Sequence, residues 1–156
     1  MRTGFFVDLS NLYYCCSKTY NRRPDYEKIR DFIISRWVPE GNSLYAEVFG
    51  FQAGNESSAF IASMRKLGYV TNYKRPRTVH GNIKKADSDL DVAMQIVRKI
   101  NDLDLIILAS GDGDFVPVIQ WIKEQNVKTI VLGCNVSQSL KRITECHEIT
   151  EDLLCD

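Results

Sequence analysis

Three short segments of this chain are almost wholly apolar, and they constrain its fold more than any other feature. They are Phe5–Val7, Leu105–Leu108 and Val127–Leu132. A strand with one face in water alternates apolar and polar residues, whereas a strand covered on both faces is apolar throughout. The three segments therefore predict central strands of a sheet that is covered by helices on both sides.

Helical patterns separate these strands along the chain. Apolar spacing and capping residues predict helices at 25–37, with Asp25 as the N-cap, and at 56–67, 88–100, 115–125 and 138–142. In the helix at 88–100 the predicted apolar face consists of Leu90, Ala93, Met94 and Val97. Strands are predicted at 4–8, 43–51, 69–73, 103–109 and 127–132.

This alternation predicts an α/β fold, a three-layer αβα sandwich around a Rossmann-like, mostly parallel sheet of four to five strands. The 156 residues suit a single domain, which we expect to span 1–156. In such sheets, ligands bind outside the carboxyl ends of the strands, near the switch in strand order. Residues that directly follow the strands are therefore the candidates for a functional site.

Charge and cysteine content exclude several classes of protein. With 20 basic and 20 acidic residues the net charge is zero, which argues against a protein that coats nucleic acid by bulk charge. A nuclease stays compatible, because acids at a metal site offset basic residues elsewhere. The five cysteines form no CxxC pair, which argues for reduced thiols and against structural zinc. Without a recognisable signal peptide or membrane span, we expect a cytoplasmic protein.

Acidic and amide side chains follow two of the predicted strands. Asp8 ends the first strand, and Asn11 comes three residues later. A later apolar strand runs into Ser110-Gly111-Asp112-Gly113-Asp114, where the glycines permit a sharp turn. The helix that follows this turn directs the positive end of its dipole at the same space. Both motifs are therefore predicted at one edge of the sheet.

A third acidic segment lies between these motifs, at the start of the helix predicted at 88–100. Asp89 and Asp91 are two residues apart and cannot share one helix face, so we expect one at the site and the other in solvent. At this point either aspartate is a candidate. A simpler interpretation is that Asp87 or Ser88 only caps this helix, as a single aspartate after a strand often does.

Carboxylates from three segments repel one another at close range unless a cation lies between them. Mg²⁺ and Mn²⁺ prefer oxygen ligands and retain positions for water and phosphate oxygens. An ion held in this way activates water and stabilises the charge of an in-line displacement at phosphorus. The candidate metal ligands are Asp8, Asp89, Asp91, Asp112 and Asp114.

Together these motifs resemble the NYN domain branch of the PIN-like nucleases (LabA-like), over essentially the whole chain. The resemblance rests on Asp8-Leu9-Ser10-Asn11, an acid-bearing helix after a lysine, and Ser110-Gly111-Asp112-Gly113-Asp114-Phe115, which is the most specific of the three. It implies a Rossmann-like fold and a Mg²⁺- or Mn²⁺-dependent ribonuclease. It also implies that Asp8, Asp112 and Asp114 bind metal, while Asn11 and Ser110 position metal, water or phosphate.

The helix motif departs from the family pattern. Many relatives carry a further aspartate one to two helical turns on, where this chain has Gln95 or Val97. Asp89 and Asp91 therefore both stay open as the helix acid. The candidate catalytic residues are Asp8, Asn11, Asp91, Ser110, Asp112 and Asp114.

Basic and aromatic residues near these motifs predict contacts with nucleic acid. Lys74, Arg75, Arg77, Lys84 and Lys85 crowd one loop beside the helix acid, and Arg22 and Arg23 follow the first motif. They are candidates to hold phosphates on either side of a cleft, and Tyr13, Tyr14 and Tyr20 to stack on unpaired bases. The expected partner is RNA, single-stranded or structured, and pairing into a homodimer would also suit the family.

Other folds that carry aspartates after strands fit less well. A haloacid-dehalogenase-like phosphatase needs a second acid where this chain has Ser10, and a Toprim-type domain needs a glutamate after its first strand. Two alternatives to a ribonuclease stay open. One is a PIN-like regulatory module that binds RNA or protein with little or no turnover, and the other is a structure-selective DNA nuclease.

Overall fold

Strands and helices alternate along the chain. The computed structural model describes residues 1–51, 58–75, 77–79, 82–84 and 88–156, with the backbone alone at 77–79 and 82–84. The strands are β1 (Thr3–Asp8), β2 (Leu44–Phe51), β3 (Val70–Lys74), β4 (Arg77–Val79), β5 (Asn82–Lys84), β6 (Leu105–Ala109), β7 (Lys128–Gly133) and β8 (Glu145–Glu148). The helices are α1 (Leu9–Tyr20), α2 (Tyr26–Trp37), α3 (Ser58–Lys66), α4 (Asp89–Lys99), α5 (Val116–Glu124) and α6 (Gln138–Lys141).

Six strands form one sheet in the order β3-β2-β1-β6-β7-β8, and every neighbouring pair is parallel. The predicted α/β sandwich is therefore confirmed. The sixth strand is β8, whose residues Glu145-Cys146-His147-Glu148 lack the apolar pattern because the strand lies at the edge of the sheet. In the segment predicted as a basic loop, β4 and β5 pair as a separate antiparallel hairpin.

Two apolar clusters cover the two faces of the sheet. Phe5 and Val7 of β1 belong to the cluster that includes buried residues of α1, α2 and α3, whereas Phe6 belongs to the cluster built with α4, α5 and α6. All three side chains are fully buried. Burial of a side chain of this kind contributes about 1.5–3 kcal/mol, so the apolar run identified in the sequence is a strand that is stabilised from both sides.

The first helix is an element that the sequence pattern did not predict. Helix α1 begins directly after Asp8, which is its N-cap, and ends at Asn21 in the left-handed conformation with φ of 53°. The second helix begins as predicted, because the Asp25 carboxylate accepts the N–H groups of Glu27 and Lys28 at 3.1 Å. Gly68, which follows the helix predicted at 56–67, has φ of +94°, a conformation that favours glycine and ends the helix. The predicted start of that helix, Glu56, lies outside the described residues.

The apolar face predicted for α4 is wrong. The buried residues of this helix are Val92 and Ile96, whereas Leu90, Met94 and Val97 are 71%, 43% and 42% exposed. This helix has two apolar stripes, and the one that packs on the sheet contains the β-branched residues Val92 and Ile96. No helix in the described part of the chain combines the length and apolar character that a bilayer span requires.

Candidate metal centre

The centre lies where β1 and β6 end side by side. Val7 of β1 is paired with Ala109 of β6 in parallel register, so the residues that follow each strand leave the sheet together. These are Asp8, which is 4% exposed, and Ser110, which is fully buried. The parallel sheet thus brings together two motifs that are about a hundred residues apart in the sequence.

Asp8 joins three elements. Its Oδ1 accepts the backbone N–H of Asn11 and the hydroxyl of Ser88, each at 3.3 Å. Ser88 is the N-cap residue of α4 but makes no capping hydrogen bond with its side chain. A buried carboxylate is costly unless hydrogen bonds compensate it, and here the compensating donors come from both flanking helices.

Asn11 holds the loop after β6. Its Oδ1 accepts the N–H of Gly111 at 3.0 Å and lies 3.9 Å from the thiol of Cys15. Burial, together with nearby groups that include Asp8, raises the pKa of Cys15, so this thiol keeps its proton and can donate. A Cβ on Gly111 would lie 3.2 Å from the carbonyl oxygen of Cys134, which explains why glycine occupies this position.

The turn after Ser110 presents two aspartates. The Oγ of Ser110 accepts the N–H of Asp112 at 3.3 Å, and the Asp112 carboxylate accepts the N–H of Asp114 at 2.9 Å. Asp112 is thereby the N-cap of a 3-10 turn at Gly113–Phe115 that leads into α5. These contacts fix the backbone of both aspartates and leave the Asp114 side chain exposed.

Three carboxylates meet at this edge. One carboxylate oxygen each from Asp89, Asp112 and Asp114 lies within 4.8 Å of the other two. We refer to these three residues as the acid cluster. Asp91 lies elsewhere, because its Oδ2 is 2.5 Å from the Nζ of Lys74 on β3. Of the two helix acids considered from the sequence, the structure thus brings Asp89 and not Asp91 to the other aspartates.

The donors of the acid cluster fit a hard divalent cation. All three are carboxylate oxygens, which Mg²⁺ and Mn²⁺ prefer, and none is a sulfur or imidazole nitrogen. Their mutual separation of at most 4.8 Å would allow all three residues to contribute to holding one such ion. Two of the residues are half-buried and one is exposed, so positions remain open on the solvent side for water and a phosphate.

A buried polar cluster below this edge was missed by the sequence interpretation. Glu47 of β2 is 1% exposed, and its carboxylate accepts the hydroxyl of Tyr45 and the side-chain amide of Gln95, the latter at 2.9 Å. Asn72 donates to its other oxygen at 3.4 Å. The sequence signal that could have found it is Glu47 itself, the single charged residue within the predicted strand at 43–51.

The basic residues predicted to contact phosphate differ in their surroundings. Lys74 is paired with Asp91 and lies 5.5 Å from the ring of Phe51, while Arg75 is exposed. Arg77 and Lys84 are on the β4–β5 hairpin with only their backbone described, and Lys85 lies outside the described residues. The Nε of Arg22 donates to the carbonyl of Cys155 at 2.9 Å, whereas Arg23 lines a surface cleft.

Comparison with known proteins identifies the family of the chain and proteins that are similar to it. The model of the NYN domain matches residues 2–152. The Low amplitude and bright protein LabA of Synechococcus elongatus is 23% identical over 161 residues, which cover 97% of this chain and 85% of the relative. A crystal structure of a protein of unknown function from Vibrio parahaemolyticus has a TM-score of 0.86 at 24% identity, covering 99% of this chain and 96% of its own. The structural likeness shows that the fold is shared.

Proposed function

This chain belongs to the NYN domain family, and we propose that it is a metal-dependent ribonuclease that hydrolyses phosphodiester bonds at the acid cluster. The family is nuclease-like, which supports hydrolysis of nucleic acid as the reaction class. The observation that carries the proposal is the approach of Asp89, Asp112 and Asp114, with one oxygen of each within 4.8 Å of the others. Like charges at this range favour a structure that holds a cation.

Asp89, Asp112 and Asp114 would hold Mg²⁺ or Mn²⁺. A cation bound there supplies a Lewis acid that offsets charge on the phosphate and lowers the pKa of a coordinated water. Asp8 is buried at the end of β1, outside the three-residue acid cluster, and orients α1 and α4 through Asn11 and Ser88. We assign it as a further acid of the site, which contributes negative potential.

Asp89 replaces Asp91 as the proposed helix acid. The ion pair between Asp91 and Lys74 offers that lysine a fixed position beside the site. Asn11 and Ser110 act as positioning residues, because both hold the backbone of the loop that carries Asp112. Substrate phosphates would be held by Arg23 and Arg75 and by the basic residues of the β4–β5 hairpin.

The proposal is tested by incubating the purified protein with single-stranded and structured RNA, with and without Mn²⁺. We expect cleavage that requires the metal and falls by at least about 100-fold in Asp112→Asn. The matched control is Asp102→Asn, an exposed aspartate of the 3-10 turn after α4 that is remote from the acid cluster. It should cleave at the rate of the unmodified protein.

Matched RNA and DNA oligonucleotides separate the alternatives. Equal or faster cleavage of DNA would replace the ribonuclease by a DNA nuclease, because ribose specificity requires contacts to the 2′-OH. A folded protein that binds Mn²⁺ but cuts none of these substrates would contradict the proposal and favour a binding module.

A further inference from the structure

A cleft lined by aromatic rings begins directly beside Asp8. It has a volume of about 400 Å³, and its walls include Leu9, Ser10 and the aromatic residues Tyr13, Tyr26, Phe51, Phe60 and Tyr73. A second cleft of about 860 Å³ shares Tyr13, Tyr26 and Phe60 with the first and extends to Arg23, with Asp25 and Glu27 also on its walls. We refer to the two clefts together as the aromatic groove. It runs from Leu9 and Ser10, which directly follow Asp8 in the sequence, to Arg23 across the surface formed by α1, α2 and α3.

Two aromatic residues of the groove have large solvent-exposed surfaces. Tyr13 is 48% and Phe60 is 41% exposed. Large aromatic residues with exposed faces mark binding surfaces more often than isolated aliphatic residues do. The two residues are on different helices, α1 and α3, and line the same walls.

The ring between them is held in place. Tyr26 is 8% exposed, and its ring lies edge-on to those of Phe60 and Tyr69, with centroids 5.8 and 6.5 Å apart. The Tyr69 hydroxyl also donates to the Tyr26 carbonyl at 2.7 Å. A rigid aromatic wall of this kind loses little conformational entropy when a flat ligand binds.

The Tyr73 hydroxyl supplies a polar group without a hydrogen-bonding partner in the described part of the chain. Its ring packs on Gly50, where a Cβ would lie 3.0 Å from Tyr73 Cε1. Burial raises the pKa of Tyr73 to about 12, so the hydroxyl keeps its proton and remains a donor. An unpaired buried hydroxyl is costly.

We propose that the aromatic groove binds unpaired nucleobases of the strand whose backbone crosses the acid cluster. This rests on the proposed function and specifies its substrate as single-stranded RNA at the groove side of the cut. Leu9 and Ser10 join the groove to Asp8 without an intervening element. Stacking on aromatic faces is independent of base identity, since every base has a π-face, and Arg23 at the far end suits a phosphate.

The groove excludes a paired duplex by its shape and chemistry. Bases inside a duplex stack on one another and do not present their faces, so they cannot contact Tyr13 or Phe60. A strand that enters the groove must therefore be unpaired on that side. Structured RNA would be cut in its loops, bulges or ends.

The test combines an abasic scan of the RNA with truncation of the rings. Binding of a fluorescently labelled single-stranded RNA is measured by anisotropy with Ca²⁺ in place of Mn²⁺, so that affinity is read apart from cleavage. Single abasic positions are moved along the RNA. We expect one or two adjacent positions at which loss of the base weakens binding roughly 5- to 150-fold, the range for loss of one base–aromatic stack.

Variants that lack an aromatic ring of the groove show whether this surface contacts the bases at the sensitive positions. Tyr13→Ala and Phe60→Ala should each weaken binding to intact RNA and make the abasic substitution at the sensitive positions nearly neutral. Met94→Ala is the matched control, since Met94 is 43% exposed on α4 and does not line the groove. It should leave both the affinity and the abasic profile unchanged.

The outcomes separate this proposal from the one on which it rests. An abasic profile without sensitive positions, in a protein that cleaves RNA, would overturn the groove and leave the ribonuclease intact. A sensitive profile that disappears in Phe60→Ala, in a protein that cleaves nothing, would support the groove and remove the ribonuclease. Absence of RNA binding would overturn the groove as well. The scan on the unmodified protein decides the matter even where a ring variant fails to fold.

Discussion

The side-chain oxygen of Asn11 accepts the backbone N–H of Gly111 at 3.0 Å, although 100 residues separate them in the sequence. Asn11 is itself fixed, because its own N–H donates to the Asp8 carboxylate. One amide thus joins the first turn of α1 to the loop that carries Asp112. The position of that aspartate relative to Asp8 depends on this contact.

We therefore expect Asn11→Ala, although it removes only a small side chain, to lower both the stability of the protein and its affinity for Mn²⁺. The variant leaves the Gly111 N–H without its acceptor, at a cost of about 1–3 kcal/mol, and frees the loop that carries Asp112. Urea unfolding and a Mn²⁺ titration measure the two effects. Asn101→Ala, at an exposed site in the turn after α4, should change stability by less than about 0.5 kcal/mol. Equal behaviour of the two variants would contradict the role assigned to Asn11.

The two helix acids should separate in metal binding. Asp89→Asn is expected to weaken Mn²⁺ at least about 10-fold, because it removes a charged ligand from the acid cluster, while Asp91→Asn should remain within about 3-fold. Isothermal titration calorimetry gives both affinities. A larger loss in Asp91→Asn than in Asp89→Asn would restore Asp91 as the helix acid.

Without metal, the acid cluster should lower the stability of the fold. Like charges at this distance repel one another, so Asp114→Asn is expected to raise the melting temperature in the presence of a chelator. With Mn²⁺ the sign should reverse, since the unmodified protein gains more from binding the ion. A variant that melts lower than the unmodified protein under both conditions would indicate that Asp114 has a purely structural role.

Glu47 should prove essential for stability. Glu47→Ala leaves the hydroxyl of Tyr45 without an acceptor, leaves the amide of Gln95 with only its 3.4 Å hydrogen bond to Tyr45 Oη, and opens a cavity, for a combined cost of about 2–4 kcal/mol. Urea unfolding compares it with Glu40→Ala, which alters an exposed turn and should be nearly neutral. If both substitutions cost the same, the buried cluster contributes nothing to the fold.

The raised pKa values of two tyrosines predict that the protein loses stability as the pH rises above 10. Burial raises the pKa of Tyr73 to about 12, and burial with the hydrogen bond to Glu47 raises that of Tyr45 to about 12, from an ordinary 10.0. Between these values the unfolded chain releases protons that the folded protein retains, so the free energy of unfolding falls as pH rises. Urea midpoints across this range should show the decline, and Tyr73→Phe should make it shallower. A midpoint that stays constant would contradict the raised values.

The sheet was predictable from the sequence because its strands are apolar on both faces, whereas α1 was not. Residues 9–20 include two serines, two cysteines, three tyrosines, an asparagine and a threonine, all of which have modest helix propensity. The helix forms because Leu9, Leu12 and Cys16 are buried against the sheet. That contact depends on the tertiary structure, which overrides local preference.

The position of Asp89 depends on which face of α4 packs on the sheet. Asp89 shares a helix face with Val92 and Ile96, three and seven residues on, and these two are buried. A sequence with two apolar stripes does not specify which one packs. The predicted face with Leu90 and Met94 differs from the buried one by about a third of a turn.

The position of β1 in the sheet governs the order in which the protein can assemble during synthesis. Strand β1 is an interior strand, and its partner Leu105–Ala109 is translated about a hundred residues after it. Until then β1 has one bare hydrogen-bonding edge and a run of phenylalanines, a combination prone to aggregate. Pairing over such a separation is slow. A nascent chain interrupted before β6 would leave that edge of β1 unpaired and would lack Asp112 and Asp114, so the interior of the sheet and the acid cluster can form only after both segments have been synthesised.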